Sequence, residues 1–140
     1  MKKKKTLSRG KLVKELDKLF SQYTRLKDAD HRGYVKCVTC GKIGHWKDNF
    51  QAGHFMSRKH YATRWDENNV KVQCKKCNMY GEGEQYKFSL YLGTELSQQL
   101  LLKSRKIVKL SNNDLVDMII KYKEFVKTKI NLLFRKIVYL

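Results

Sequence analysis

Two cysteine pairs constrain this chain more than any other feature. Cys37 and Cys40 form one C-x2-C knuckle, Cys74 and Cys77 form a second, and 33 residues separate them. Each knuckle can place two thiolates on one tetrahedral ion, and the two together complete a closed four-sulfur shell. A closed shell keeps no open position, so the expected zinc is structural. Gly41, directly after the first pair, suits the tight turn a knuckle needs. His45 is an alternative ligand that four cysteines make unnecessary. A redox role fits poorly, because the motif occurs twice and no βαβ pattern accompanies it. The start, Met1 to Lys5, is basic like the head of an export signal. Arg9, Lys11, Lys14, Glu15, Asp17 and Lys18 then interrupt the apolar stretch that should follow. The chain is therefore expected in a reducing cytosol, with its thiols as metal ligands rather than disulfides.

The charge balance says what the chain meets. Lys and Arg number 31 against 13 Asp and Glu, a net +18 on 140 residues. Such an excess on a one-domain length predicts a polyanionic partner, nucleic acid first. With 41% hydrophobic residues the chain is no disordered basic tail, and the absence of proline favours helices. The segment from Ile130 to Leu140 is apolar but short and carries Arg135 and Lys136, so no membrane span is expected. The charge gathers at the two ends. Residues 1–27 hold ten Lys/Arg against Glu15 and Asp17, and residues 101–140 hold ten against Asp114, Asp117 and Glu124. The cysteines, histidines and tryptophans lie between. This predicts a basic tail and helix over 1–30, a zinc-binding core over 31–93 and a basic helical region over 94–140.

Both ends read as amphipathic helices. Leu12, Leu16, Leu19, Phe20, Tyr23 and Leu26 form one apolar stripe. Ser111 to Asp114 resembles a helix start, and Leu115, Met118, Ile119, Tyr122, Phe125, Val126, Ile130, Leu133, Phe134 and Ile137 continue at helical period. That second stripe must be buried within the fold or between two copies, so a homodimer is one expected arrangement. A shorter helix is predicted from Gln85 to Leu92, stopped by Gly93, with Thr94 capping another. Trp46 and Trp65 are expected in the core beside the zinc.

The chemistry lies between and just after the knuckles. His54 sits in the run Gln51-Ala52-Gly53-His54-Phe55, Asn69 falls five residues before Cys74, and Asn78 directly follows Cys77. This His…Asn…Asn order, threaded through a zinc-binding cysteine pair, resembles the HNH (His-Me finger, ββα-metal) nucleases. The runs Cys-x2-Cys-Gly, Ala-Gly-His-Phe-x2-Arg, Arg-Trp-Asp-x2-Asn and Gln-Cys-x2-Cys-Asn, followed by Gly83, resemble more narrowly the NinG/Rap family of phage recombination endonucleases. The likeness runs from about Val35 to Tyr91. It implies an α+β fold: a small zinc-stapled ββα-metal core flanked by amphipathic α-helices at both ends. It implies a metal-dependent endonuclease for DNA, in branched recombination intermediates such as Holliday junctions, D-loops or flaps. His54 is then the general base on a hairpin strand, Asn69 the residue that holds the hairpin's shape, and Asn78 a ligand of one catalytic Mg²⁺ or Mn²⁺.

Each role suits its residue. Hydrolysis of a phosphodiester needs a base for water and positive charge near the phosphate. A neutral imidazole held at one nitrogen supplies the base. An amide oxygen is a hard ligand suited to Mg²⁺ or Mn²⁺. One departure stands out. Many HNH enzymes carry an acid immediately before the histidine as a second metal ligand, and here that position is Gly53. Glu82, four residues after Asn78, would replace it if a helix ran through both. Arg58, Lys59, Arg64, Lys75 and Lys76 are candidate phosphate contacts, with sequence-independent binding favoured by the lysine-rich ends. No small-molecule cofactor is expected. Two other readings stay open: a non-catalytic zinc-ribbon binder of nucleic acid, and an inactive HNH scaffold, which Gly53 keeps alive.

Overall fold

The structure is a computed structural model and describes residues 6–138. The lysine run at the start and Leu140 lie outside the described residues, as does the side chain of Ile137. The chain is helical at both ends, with two small antiparallel sheets between. Helix α1 covers Arg9–Lys27 and α5 covers Asn112–Val138. Strands β1 (Tyr34–Lys36) and β2 (Ile43–His45) form one sheet, and β3 (Phe50–His54) and β4 (Val70–Cys74) the other. Helix α2 (Tyr61–Arg64) lies in the connection between β3 and β4. A π-helical turn, Lys76–Tyr80, follows β4, and then come α3 (Gln85–Leu92) and α4 (Thr94–Ser104).

The apolar stripes decide how these pieces pack. Leu12, Leu16, Leu19 and Phe20 of α1 are buried against Leu115 and Tyr122 of α5, with Val70 and Trp65 from the middle of the chain. A second cluster joins Leu26, Val35, Trp46, Phe50 and Val72 to Cys37, Cys74 and Cys77, and Val126 of α5 closes it. Helix α5 thus runs past both clusters. Trp46 is beside the cysteines as expected, whereas Trp65 is buried in the other cluster. The two tryptophans divide because Trp65 leaves α2 toward α1, where Asp17 accepts its indole N–H at 3.0 Å.

The ends of the helices follow local chemistry. Ser111 and Asp114 form a reciprocal cap: Asp114 accepts from the Ser111 N–H at 2.7 Å, and Ser111 Oγ accepts from the Asp114 N–H at 3.1 Å. Gly93 ends α3 as expected, but it also occupies the capping position of α4. Thr94 is therefore the first helical residue rather than the cap, which Gly93 occupies at φ +85°, a backbone conformation that glycine adopts freely. Among the described residues no helix is long and apolar enough to cross a membrane.

A four-sulfur cluster and a cleft around His54

The two knuckles meet. The Sγ atoms of Cys37, Cys40, Cys74 and Cys77 all lie within 4.8 Å of one another. Cys40 and Cys74 are 3.7 Å apart, and all four cysteines are free. A tetrahedral ion with Zn–S bonds near 2.3 Å requires sulfurs about 3.8 Å apart, so the cluster fits zinc. The first knuckle is shaped by Gly41, whose φ of +77° lets its N–H return to the Cys37 carbonyl at 2.9 Å. The second is carried by the end of β4 and the π-helical turn. His45 is not in the cluster and packs instead edge-on against Tyr34 and tilted against Trp46.

A cleft of about 810 Å³ borders the π-helical turn. His54 at the end of β3, Asn78 in the turn, and Gln51, Arg58 and Glu82 all line it. The His54 ring sits with Nε2 at 2.9 Å from the Arg64 carbonyl. A carbonyl only accepts, so Nε2 carries the hydrogen and Nδ1 holds the lone pair of the neutral ring. Burial pushes the His54 pKa below its ordinary value, and the bond to Arg64 pulls the other way. The ring is accordingly neutral near pH 7.

Asn69 is fully buried and uses its whole amide. It accepts from the Met56 N–H at 2.7 Å and donates to the carbonyls of Met56 and Thr63 at 2.9 and 3.0 Å. It thereby fastens both ends of the 56–63 segment, one residue short of the carbonyl that holds His54. Asn78 donates its Nδ2 to Gln51 Oε1 at 2.8 Å, and its own Oδ1 takes no hydrogen bond among the described residues.

Several expected residues sit otherwise than their spacing suggests. Glu82 shares no helical face with Asn78. The π-helical turn ends at Tyr80, and Glu82 follows in a left-handed turn, φ +53°, yet its chain still reaches the cleft. Arg64 is not free to meet phosphate. Its guanidinium grips Asp17 of α1 through two contacts of 3.0 and 2.6 Å and also donates to the Arg58 carbonyl at 2.8 Å. Arg58, Lys59 and Lys76 are exposed, and Lys75 is half-buried. His31 is exposed, and His60 precedes α2.

Gly53 has a structural cause. A Cβ at this position would stand 2.6 Å from Cδ of Gln73 and closer still to its Oε1, so the side chain of Gln73 occupies the space an acid would need. Gln73 is wholly buried and donates to the Gly83 carbonyl at 2.8 Å and to Thr39 Oγ1 at 3.2 Å. It ties the first knuckle to the turn that bears Glu82. Its Oε1 has no partner among the described residues. Motif spacing does not point to Gln51, Gln73 or Asp17. Their signals were slight: Gln51 and Gly53 share a strand face by alternation, and Asp17 and Ser21 flank the apolar stripe of α1 one turn apart.

The family model for NinG, described as the bacteriophage lambda NinG protein, matches residues 1–131. No curated protein matches the chain. No solved structure matches it either.

Proposed function

The chain belongs to the NinG family, and on that premise we propose that it is an HNH-type DNA endonuclease with His54 as its general base. One observation carries the reading: His54 is pinned at Nε2 by a backbone carbonyl, so its Nδ1 lone pair is the available base of a cleft shared with Asn78. A structural histidine in a core would have both nitrogens occupied or shielded. Here one is anchored and the group is held neutral, the state a base needs.

The residues divide the work of hydrolysis. Nδ1 of His54 takes a proton from water as the water oxygen bonds to phosphorus and the bond to the leaving 3′-oxygen breaks. Asn69 fixes the segment that positions the anchoring carbonyl. The oxygen donors of Asn78 and Glu82, both on the cleft, suit a hard divalent cation such as Mg²⁺ or Mn²⁺. When bound, that cation supplies positive charge for the phosphate and the leaving oxygen. With Gly53 in place of an acid, the protein offers few charged ligands, so tight metal binding would require DNA phosphate as well. Cys37, Cys40, Cys74 and Cys77 would hold zinc, which would keep β4 and the π-helical turn in register, since Cys74 lies at the end of the one and Cys77 within the other. Arg58, which lines the cleft, and Lys59, Lys75 and Lys76 are the proposed contacts to the DNA backbone. Branched recombination intermediates are the proposed substrates, on the family's phage origin.

Labelled four-way junction, flap and plain duplex DNA test this directly, with Mg²⁺ or Mn²⁺ added or withheld. Cation-dependent cutting that disappears in His54→Ala, while gel-shift binding persists, is the expected result. Binding without cutting by the wild-type protein under every cation would favour a non-catalytic zinc-ribbon binder or an inactive HNH scaffold.

A further inference from the structure

We infer that Asp17 of α1 is a positioning residue of the nuclease site, holding Arg64 so that its backbone carbonyl fixes the His54 ring. This rests on the reading of His54 as the base. The geometry forms a short chain of contacts. Asp17 accepts from Arg64 Nε and Nη2 at 3.0 and 2.6 Å and from the Trp65 indole N–H at 3.0 Å. Two planar groups meeting edge to edge restrict each other's orientation as a single contact does not. Both partners are largely shielded, with side chains 15% and 19% exposed, so the pair is more than a solvated surface contact. Arg64 also donates to the Arg58 carbonyl, which closes the 58–64 segment on itself. The fixed residue is the one whose own carbonyl accepts from His54 Nε2.

The placement has an electrostatic side. His54 faces Asp17 from α1, Arg58 and Arg64 from the segment after β3, and Glu82 from the turn across the cleft. The two arginines lower the basicity of the ring, and Asp17 offsets them. Asp17 also borders the cleft itself, together with Ser21 one helical turn later. A helix outside the zinc-stapled motif therefore completes the setting of the base. Arg64 serves this contact and not the DNA.

The test is ¹⁵N NMR of the His54 ring in the full-length zinc-loaded protein, wild type against Asp17→Asn. The wild-type ring should show one tautomer, hydrogen on Nε2. In Asp17→Asn the two tautomers should mix, the titration midpoint should fall, and kcat should drop about ten- to hundredfold with KM nearly unchanged. Asp17→Glu should restore part of each signal. A folded Asp17→Asn protein with the wild-type tautomer, midpoint and kcat would overturn the inference. If Asp17→Asn does not fold, Arg64→Lys takes its place, since it keeps the charge and gives up the fork. Mixed tautomers there support the inference, and an unchanged single tautomer overturns it. A ring released by the substitution in a protein that never cuts DNA would leave the positioning intact and refute the nuclease.

Discussion

The two ends of the chain are alike in sequence and unlike in the fold. Both are lysine-rich, both carry an apolar stripe, and each stripe packs against the other. Yet α1 sends Asp17, Phe20 and Ser21 to the cleft around His54, and among its described residues α5 sends none. Helix α1 also crosses β3 and β4, the sheet that ends in His54 and leads into the second knuckle. Helix α5, like α1, contributes to both apolar clusters, and its exposed face carries Lys121, Lys123 and Lys127. Composition measures what a helix is made of. Which partner its apolar side finds decides whether it becomes part of a site.

The largest test of this difference is removal of zinc. A four-thiolate site contributes on the order of 10 kcal/mol to a small fold. Stripping it should unfold the cluster of Cys37, Cys74 and Cys77, and hydrogen exchange should report loss first around Val126 in α5 and Leu26 in α1. The Leu16 and Leu115 half of the core should persist longest. If protection is lost uniformly, the two clusters are one cooperative unit. Next in size, Leu16→Ala and Leu115→Ala should each cost about 2–5 kcal/mol in urea unfolding, because both side chains are fully buried. Equal costs would show that the two helices support the fold alike, and that their difference lies in the cleft alone.

Activity should separate them. Ser21→Glu adds a negative charge beside the cleft and should slow cleavage about tenfold, roughly 1.4 kcal/mol of barrier, at unchanged melting temperature. Lys123→Glu on the exposed face of α5 should leave kcat unchanged and reduce the salt dependence of DNA binding by about one unit of slope. Matched rate effects from both would erase the comparison. The smallest expected effect is in pH. Because burial lowers the His54 pKa, the acid limb of cleavage should fall below the ordinary imidazole value of 6.5. The unfolded chain takes up that proton first, so this residue's contribution to stability is complete above about 6.5 and declines as pH drops toward the folded value. The difference between wild type and His54→Gln in pH-dependent unfolding isolates it. Lys123→Glu on the exposed face of α5 should change neither the acid limb nor the pH dependence of unfolding.

What was legible in the sequence was local. Cysteines two apart and stripes with a period of 3.6 announce themselves within a few residues, and the four-sulfur cluster and both long helices follow from them. Gly93 and the Ser111–Asp114 cap are equally local. The cleft was legible only in part. His54 and Asn78 could be named from motif order, and the fold brings both to one cavity. Their supports could not, because Asp17 meets Arg64 across 47 positions and Gln73 fills a space next to Gly53 on the neighbouring strand. Such contacts depend on register and on which face of a helix turns inward. The π-helical turn was hidden as well: it carries Cys77 of the four-sulfur cluster, and nothing local in residues 76–80 announces its winding.

The side chain of Gln73 over Gly53 has a consequence for descent. An acid at position 53 collides with the amide, and a shorter residue at 73 alone abandons the bonds to Gly83 and Thr39 while leaving a hole. Each single step is therefore worse than either end point. Lineages that exchange one arrangement for the other must change both positions nearly together, so the two should covary among relatives, with a bulky residue at one always facing a small one at the other.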